Sequence, residues 1–193
     1  VAVSGSSGLQ PGGLSSIHFL SAGTATGINT AVQVPPSRWS AEGLGAESLS
    51  GSLPQSLAEA VAIRMRHGAF VDAAEFFDNR HFSLAPGETR TVDPQHRLVL
   101  EHSYMALHTA NHTSSSLHGS ETGIAVGIYQ TEWYEIIKLS PYAASPYAAA
   151  SASLAIAAGR VSYVLGMLGP CLTLETACSS SLVAGYAGAS ALS

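Results

Sequence analysis

A chain of 193 residues can bury one sizeable core without disulfide or metal staples. Only 11% of it is charged and its mean hydropathy is +0.23, against roughly a quarter charged in an ordinary soluble domain. An unusual share of its surface is therefore expected to lie against a partner or further chain. The net charge is −5, and the seven arginines and single Lys138 are scattered from Arg38 to Arg160, so no basic patch marks a nucleic-acid partner.

The longest apolar stretch, around Ala148 to Leu168, is broken by Ser151, Ser153, Arg160 and Ser162, so no membrane span is expected. Val1 opens the chain with no methionine and no visible signal peptide, and Ser193 closes it inside an expected helix, so both ends read as cuts in a longer protein. Cys171 and Cys178 stand seven residues apart without a CxxC or Cys/His pattern. A disulfide framework or zinc site is not expected, and a reducing, cytoplasmic compartment fits better.

In chain order, Val1-Ala2-Val3 is a short buried-strand pattern running into the turn Ser4-Gly5-Ser6-Ser7-Gly8. That turn lacks both the Gly-Lys-Ser/Thr ending and the GxGxxG spacing of a nucleotide loop. From Pro11 to Pro54 the chain is rich in Gly, Ser and Pro and is expected to be largely loop, with a short helix near Ile17 to Leu20. Leu57 to Arg66 favours a helix with Gly68 as its C-cap, while Ala62 to Val71 also alternates like a strand. Asp93-Pro94 is a helix start, with Leu100, Tyr104 and Leu107 on one face and an end before Asn111. Gly123 to Tyr129 forms a central strand. Ser145-Pro146 starts a second helix toward Arg160. Cys171 to Glu175 is a strand, Thr176 to Cys178 a sharp turn, and the chain continues helical through Leu182, Ala184 and Tyr186 to Leu192. Strands alternating with helices indicate an α/β layered domain.

Cys178 is the candidate for chemistry. A strand-to-helix turn pushes a side chain out of the sheet and places it at the positive end of a helix dipole, which favours a thiolate. Backbone N–H groups at the helix start can stabilise an oxyanion. The competing reading is a small, buried, inert cysteine. A nucleophile-elbow hydrolase fits less well, because Gly-x-Ser-x-Gly is missing around Cys178.

Thr176-Ala177-Cys178-Ser179-Ser180-Ser181-Leu182-Val183-Ala184 resembles the active-site signature of β-ketoacyl synthases, the ketosynthase domains of modular polyketide synthases and animal-type fatty acid synthases. Four further segments match in order: Val1 to Gly13; Val34-Pro35 with Arg38-Trp39; Asp93 to Glu101; and Ala158 to Tyr163 with Gly169-Pro170. The resemblance implies the N-terminal half of a thiolase-like layered α/β fold, with a mixed central sheet and flanking helices. It makes residues 1–193 the N-terminal region of a ketosynthase, ending before two catalytic histidines and a lysine. It further implies acyl transfer to Cys178 and, in the complete enzyme, decarboxylative Claisen condensation with a malonyl-type thioester. The implied partners are an acyl carrier protein, whose phosphopantetheine arm delivers the acyl group, and a second copy of the domain. No cofactor or metal would be bound directly. A noncatalytic ketosynthase-like scaffold or dimerisation module is the alternative.

All eight histidines precede Cys178 and none matches a catalytic position of the family. His96, where the family often has glutamine, is expected to be structural, and His108 and His112 to straddle a helix end rather than hold a metal. Lys138 is expected on a solvated helix face. Glu175 stands where aspartate is usual. Cys171 stands where serine is usual and is expected to be a small buried residue.

Overall fold

Start and stop signals written into the sequence set most of the helices. A computed structural model describes residues 2–40, 51, 53–129 and 132–191. Its chain divides into two compact units, Gly8–Ala73 and the segments Val1–Ser7 with Ala74–Ser193.

In the first unit a 3-10 turn, Pro11–Gly13, precedes helix α1, Ile17–Thr26. The helix is longer than the short one expected, because both ends are capped. Ser16 Oγ accepts the Phe19 N–H, and Gly27 closes the helix in the left-handed conformation with φ of 65°. Strand β1, Val32–Gln33, helix α2, Gln55–Met65, and strand β2, His67–Gly68, follow, with β1 and β2 antiparallel. The ambiguous stretch from Leu57 to Val71 thus resolves as helix followed by strand. Gly68 is not the C-cap. Arg66 fills that position, and its carbonyl accepts from Val34 N at 2.9 Å. Arg38 Nη2 donates to Val71 O at 2.7 Å and its guanidinium lies over Phe70, whose ring also meets Trp39 edge-on. Residues 41–50 and 52 of the expected loop lie outside the described residues.

In the second unit Ala2 and Val3 are exposed and form no strand, and Val1 lies outside the described residues. A strand needs a neighbour to take its backbone hydrogen bonds, and none pairs with them among the described residues. Gly5 instead approaches the C-terminal turn at Ala106 and Thr109, and Ser7 Oγ and His102 Nδ1 share a hydrogen bond of 2.7 Å.

Helices α3, Pro86–Thr89, α4, Pro94–Thr109, and α5, Ser114–Leu117, come next. Helix α4 begins as its sequence dictates, with the Asp93 side chain accepting from Gln95 N, and it ends at Ala110. Leu100 on its inner face is fully buried among Val92, Leu117, Val161, Phe82 and Met167, with Tyr104 and Leu107 packed alongside. Strand β3, Ile124–Gly127, helices α6, Trp133–Lys138, α7, Ala148–Ser151, and α8, Ile156–Leu165, then lead to strand β4, Cys171–Leu174, and helix α9, Ser180–Ser190.

The expected continuous helix from Ser145 to Arg160 is instead split between α7 and α8. The Ser151 carbonyl accepts the Asp93 N–H at 3.0 Å and Ser151 Oγ meets Thr91 Oγ1 at 2.9 Å. Fully buried Ser151 thus closes α7 with its N–H on Tyr147 O but turns its carbonyl and hydroxyl to the segment that starts α4. Helix α8 resumes beyond the break and runs past Arg160 to Gly166, which has φ of 68°.

Strands β3 and β4 are parallel, with Ile124 opposite Cys171 and Gly127 opposite Leu174. Strand alternation puts helices on the two faces. Ile124, Val126 and Ile128 pack with Ala157 and Ala158 of α8, and Thr173 Oγ1 accepts from Ala158 N. Ala125 and Gly127 face α9 across small residues, Gly188 and Ser180. This is the layered arrangement expected from the sequence.

His96, on the first turn of α4, is 1% exposed and neither ring nitrogen has a hydrogen-bond partner among the described residues. Burial pushes its pKa down; Asp93 opposes that and Arg160 adds to it. The unfolded chain binds the imidazole proton below about pH 6.5 while the folded chain resists it. The stability His96 contributes is therefore present above that pH and lost as pH falls through it. His96→Gln should show a smaller drop in urea midpoint between about pH 7.5 and 5.5 than the parent chain.

Candidate functional site

Strand β4 delivers the chain to a turn that reverses it into α9. Thr176 leaves the strand at φ −137° and ψ 38°, Ala177 takes φ of 55°, and Ala177–Ser179 form one 3-10 turn before the helix. Ala177 is not glycine, so its left-handed backbone carries strain of order 1–3 kcal/mol that surrounding contacts must offset. Those contacts are local hydroxyls. Ser180 Oγ accepts the Thr176 N–H at 2.9 Å and donates to the Ala177 carbonyl at 2.7 Å, while Ser179 Oγ donates to the Thr176 carbonyl at 2.8 Å.

Cys178 sits at the centre of this turn as a free, exposed thiol. The competing reading expected a buried cysteine, and on that point the structure differs: Cys178 is exposed. The eleven-residue helix that follows begins two residues later, so the thiol stands near its positive end. No charged residue follows Glu175 in the sequence. Among the described residues no side chain hydrogen-bonds the Cys178 sulfur. Among the described residues the segment therefore offers an exposed thiol with no acid or base side chain bonded to it.

Cys171 departs from expectation. It is exposed, not buried, because it is the first residue of a strand whose end is left uncovered. A four-residue strand alone spans about 10 Å, and three more residues separate it from Cys178, so the two thiols serve different places. His108 occupies the last turn of α4, and His112 lies beyond the cap with its N–H on Leu107 O. Among the described residues no group of three His, Cys, Asp or Glu side chains could hold a metal ion. Lys138 pairs with Glu135 and lies over the Tyr134 ring, as expected of a solvated helix face.

Sequence reasoning missed two residues of the site, Ser180 and Gly127. Ser180 is 4% exposed, and a side chain at Gly127 would collide with the Ser180 and Ser181 backbone. The available signal was a glycine inside an apolar strand, which marks a place where another backbone comes close. A cleft of about 530 Å³ lies between Phe82, Leu84, His118 and Tyr163, with the Arg160–Glu88 ion pair in its wall. A groove of about 420 Å³ runs between Ile124, Leu172, Ala187 and Ala191. Cys178 lines neither.

Because glycine adopts a left-handed φ freely, Ala177→Gly should be neutral to about 1 kcal/mol stabilising by urea denaturation. An ordinary helical site would lose about that much instead.

The chain matches the family model described as "Beta-ketoacyl synthase, N-terminal domain" over residues 1–193. The spectinabilin polyketide synthase system protein NorA of Streptomyces orinoci is 42% identical over 127 residues, 66% of this chain and 7% of that protein. A phenolphthiocerol/phthiocerol polyketide synthase of Mycobacterium tuberculosis is 36% identical over 162 residues, 83% of this chain and 8% of that protein. Among solved structures, the oxazolomycin ketosynthase domain of Streptomyces albus superposes with a TM-score of 0.77 at 26% identity, covering 98% of this chain and 32% of that one. The chain thus spans less than a tenth of these two curated relatives and about a third of that solved ketosynthase.

Proposed function

This chain belongs to the β-ketoacyl synthase family, whose N-terminal domain it matches from end to end, and on that premise we propose that Cys178 is its acyl-accepting nucleophile. The observation that carries the reading is an exposed thiol on a strained strand-to-helix turn at the start of α9.

The chemistry is thioester exchange. The Cys178 thiolate attacks the carbonyl carbon of an acyl group carried on the phosphopantetheine arm of an acyl carrier protein. The carrier's C–S bond breaks, and its thiol leaves with the proton that Cys178 gave up. Nothing is oxidised or reduced. Covalent capture divides one difficult step into two easier ones. In the complete enzyme a malonyl-type thioester then loses carbon dioxide. The resulting carbanion attacks the captured acyl carbon, forming a C–C bond and releasing the Cys178 sulfur. That second half calls for the histidines and lysine that the family carries downstream of the cysteine, so this chain alone stops at the acyl-enzyme.

The relatives' names favour polyketide over fatty-acid biosynthesis. No helix among the described residues is long and apolar enough to cross a membrane, and two free thiols suit a reducing cytoplasm. A second copy of the domain is the further proposed partner. It would cover apolar side chains that stand in solvent, among them Tyr163 and Leu168, 88% and 69% exposed.

That same exposed apolar surface is what a noncatalytic dimerisation module would also show, and one experiment separates the readings. After incubation with a radiolabelled acyl thioester, the chain should retain about one label per molecule, and Cys178→Ala should retain none. Label surviving in Cys178→Ala would sink the nucleophile, and an unlabelled parent chain would favour the module.

A further inference from the structure

We propose that Ser180, seated against Gly127, is a positioning residue that holds the Cys178 thiol where an acyl group can reach it. The inference rests on Cys178 being the nucleophile and adds what fixes that sulfur in space.

Three observations converge on it. First, Ser180 is the only buried residue of the segment Cys171–Ser180. Its hydroxyl accepts from Thr176 N and donates to Ala177 O, so one side chain ties the end of the strand to the peptide that leads into Cys178. Second, Ala177 holds a left-handed φ of 55° without being glycine. Such a conformation persists only where the surroundings over-determine it, and the Ser180 hydroxyl bonds the carbonyl of that very residue. Third, the backbone of Ser180 and Ser181 presses on β3 at Gly127, where any side chain would collide with it. The first turn of α9 therefore has one height above the sheet, and Ser180 transmits it to the turn.

Cys178 itself is exposed and has no side-chain partner among the described residues to fix it. Its placement comes from the backbone on either side. Releasing the clamp lets Ala177 relax toward an ordinary φ and swings the sulfur away from the helix start. A displacement of about 1 Å can cost on the order of 100-fold in rate.

The test is the acylation rate of folded protein with an acyl N-acetylcysteamine thioester, followed by intact mass spectrometry, with circular dichroism reporting the folded fraction. Ser180→Ala should acylate about 10- to 100-fold more slowly per folded molecule. Adding Ala177→Gly to Ser180→Ala should recover a substantial part of the rate, because glycine holds the left-handed turn without a clamp. A merely structural role predicts a lowered melting temperature with an unchanged rate per folded molecule and no recovery. Should Ser180→Ala fail to fold, Ala177→Val tests the same claim from an exposed position. A β-branched residue resists positive φ, and a similar slowing is expected. A parent chain that does not acylate refutes the nucleophile assignment. A parent chain that acylates while these variants match its rate overturns the positioning role alone.

Discussion

A helix can begin hard against a strand only where the strand presents no side chain, and here that place is Gly127. Its bare backbone lets the first turn of α9 settle onto β3 at Ser180 and Ser181. The same settlement forces the turn from Thr176 to Ser179 into a narrow space, with Ala177 bent to positive φ. What looks from Cys178 like an isolated reactive residue is the end of a chain of constraints. Parallel register between β3 and β4 sets Gly127 beside Leu174, Gly127 admits Ser180, and Ser180 closes the turn.

The other face of the sheet supports this arrangement. Val126 and Ile128 pack on Ala157 and Ala158 of α8, and α8 is held to α3 by the ion pair between buried Arg160 and half-buried Glu88. Removing Glu88 would leave the buried Arg160 guanidinium without that partner, which is destabilising. The strands are therefore backed by a rigid layer, and the strain at Ala177 has a fixed frame to bear on. By contrast, the outer surface of α9 stands in solvent, with Leu182 and Tyr186 79% and 75% exposed. The low charge content of the sequence has its structural counterpart there, in apolar side chains suited to burial by a partner or by the remainder of a ketosynthase.

The turn that carries Cys178 was more legible in the sequence than several of the elements around it. Asp93-Pro94 and Thr176-Ala177-Cys178 act through nearest-neighbour chemistry, capping in one case and a turn in the other, and such signals survive in any context. Three features were hidden because each depends on a distant group. The break between α7 and α8 comes from Ser151 serving Asp93 and Thr91, some sixty residues away in sequence. Ala2-Val3 carries a strand pattern but no strand, since pairing needs a neighbour that no local pattern supplies. Cys171 has the composition of a buried position, yet its burial depends on what lies across the strand end. Ser180 stands inside the motif, but its hydrogen bonds are not visible in the sequence, since they form only when Thr176 and Ala177 fold back to it.

Exposure alone does not make a nucleophile, and this chain carries its own control: two free, exposed cysteines, of which only Cys178 stands at a helix start. Trypsin leaves both on one peptide, Val161 to Ser193, so fragment-ion sequencing after limited reaction with an acyl thioester reports their ratio within a single molecule. The account predicts acylation at Cys178 with Cys171 essentially unmodified. Equal labelling of the two, or preference for Cys171, would contradict it.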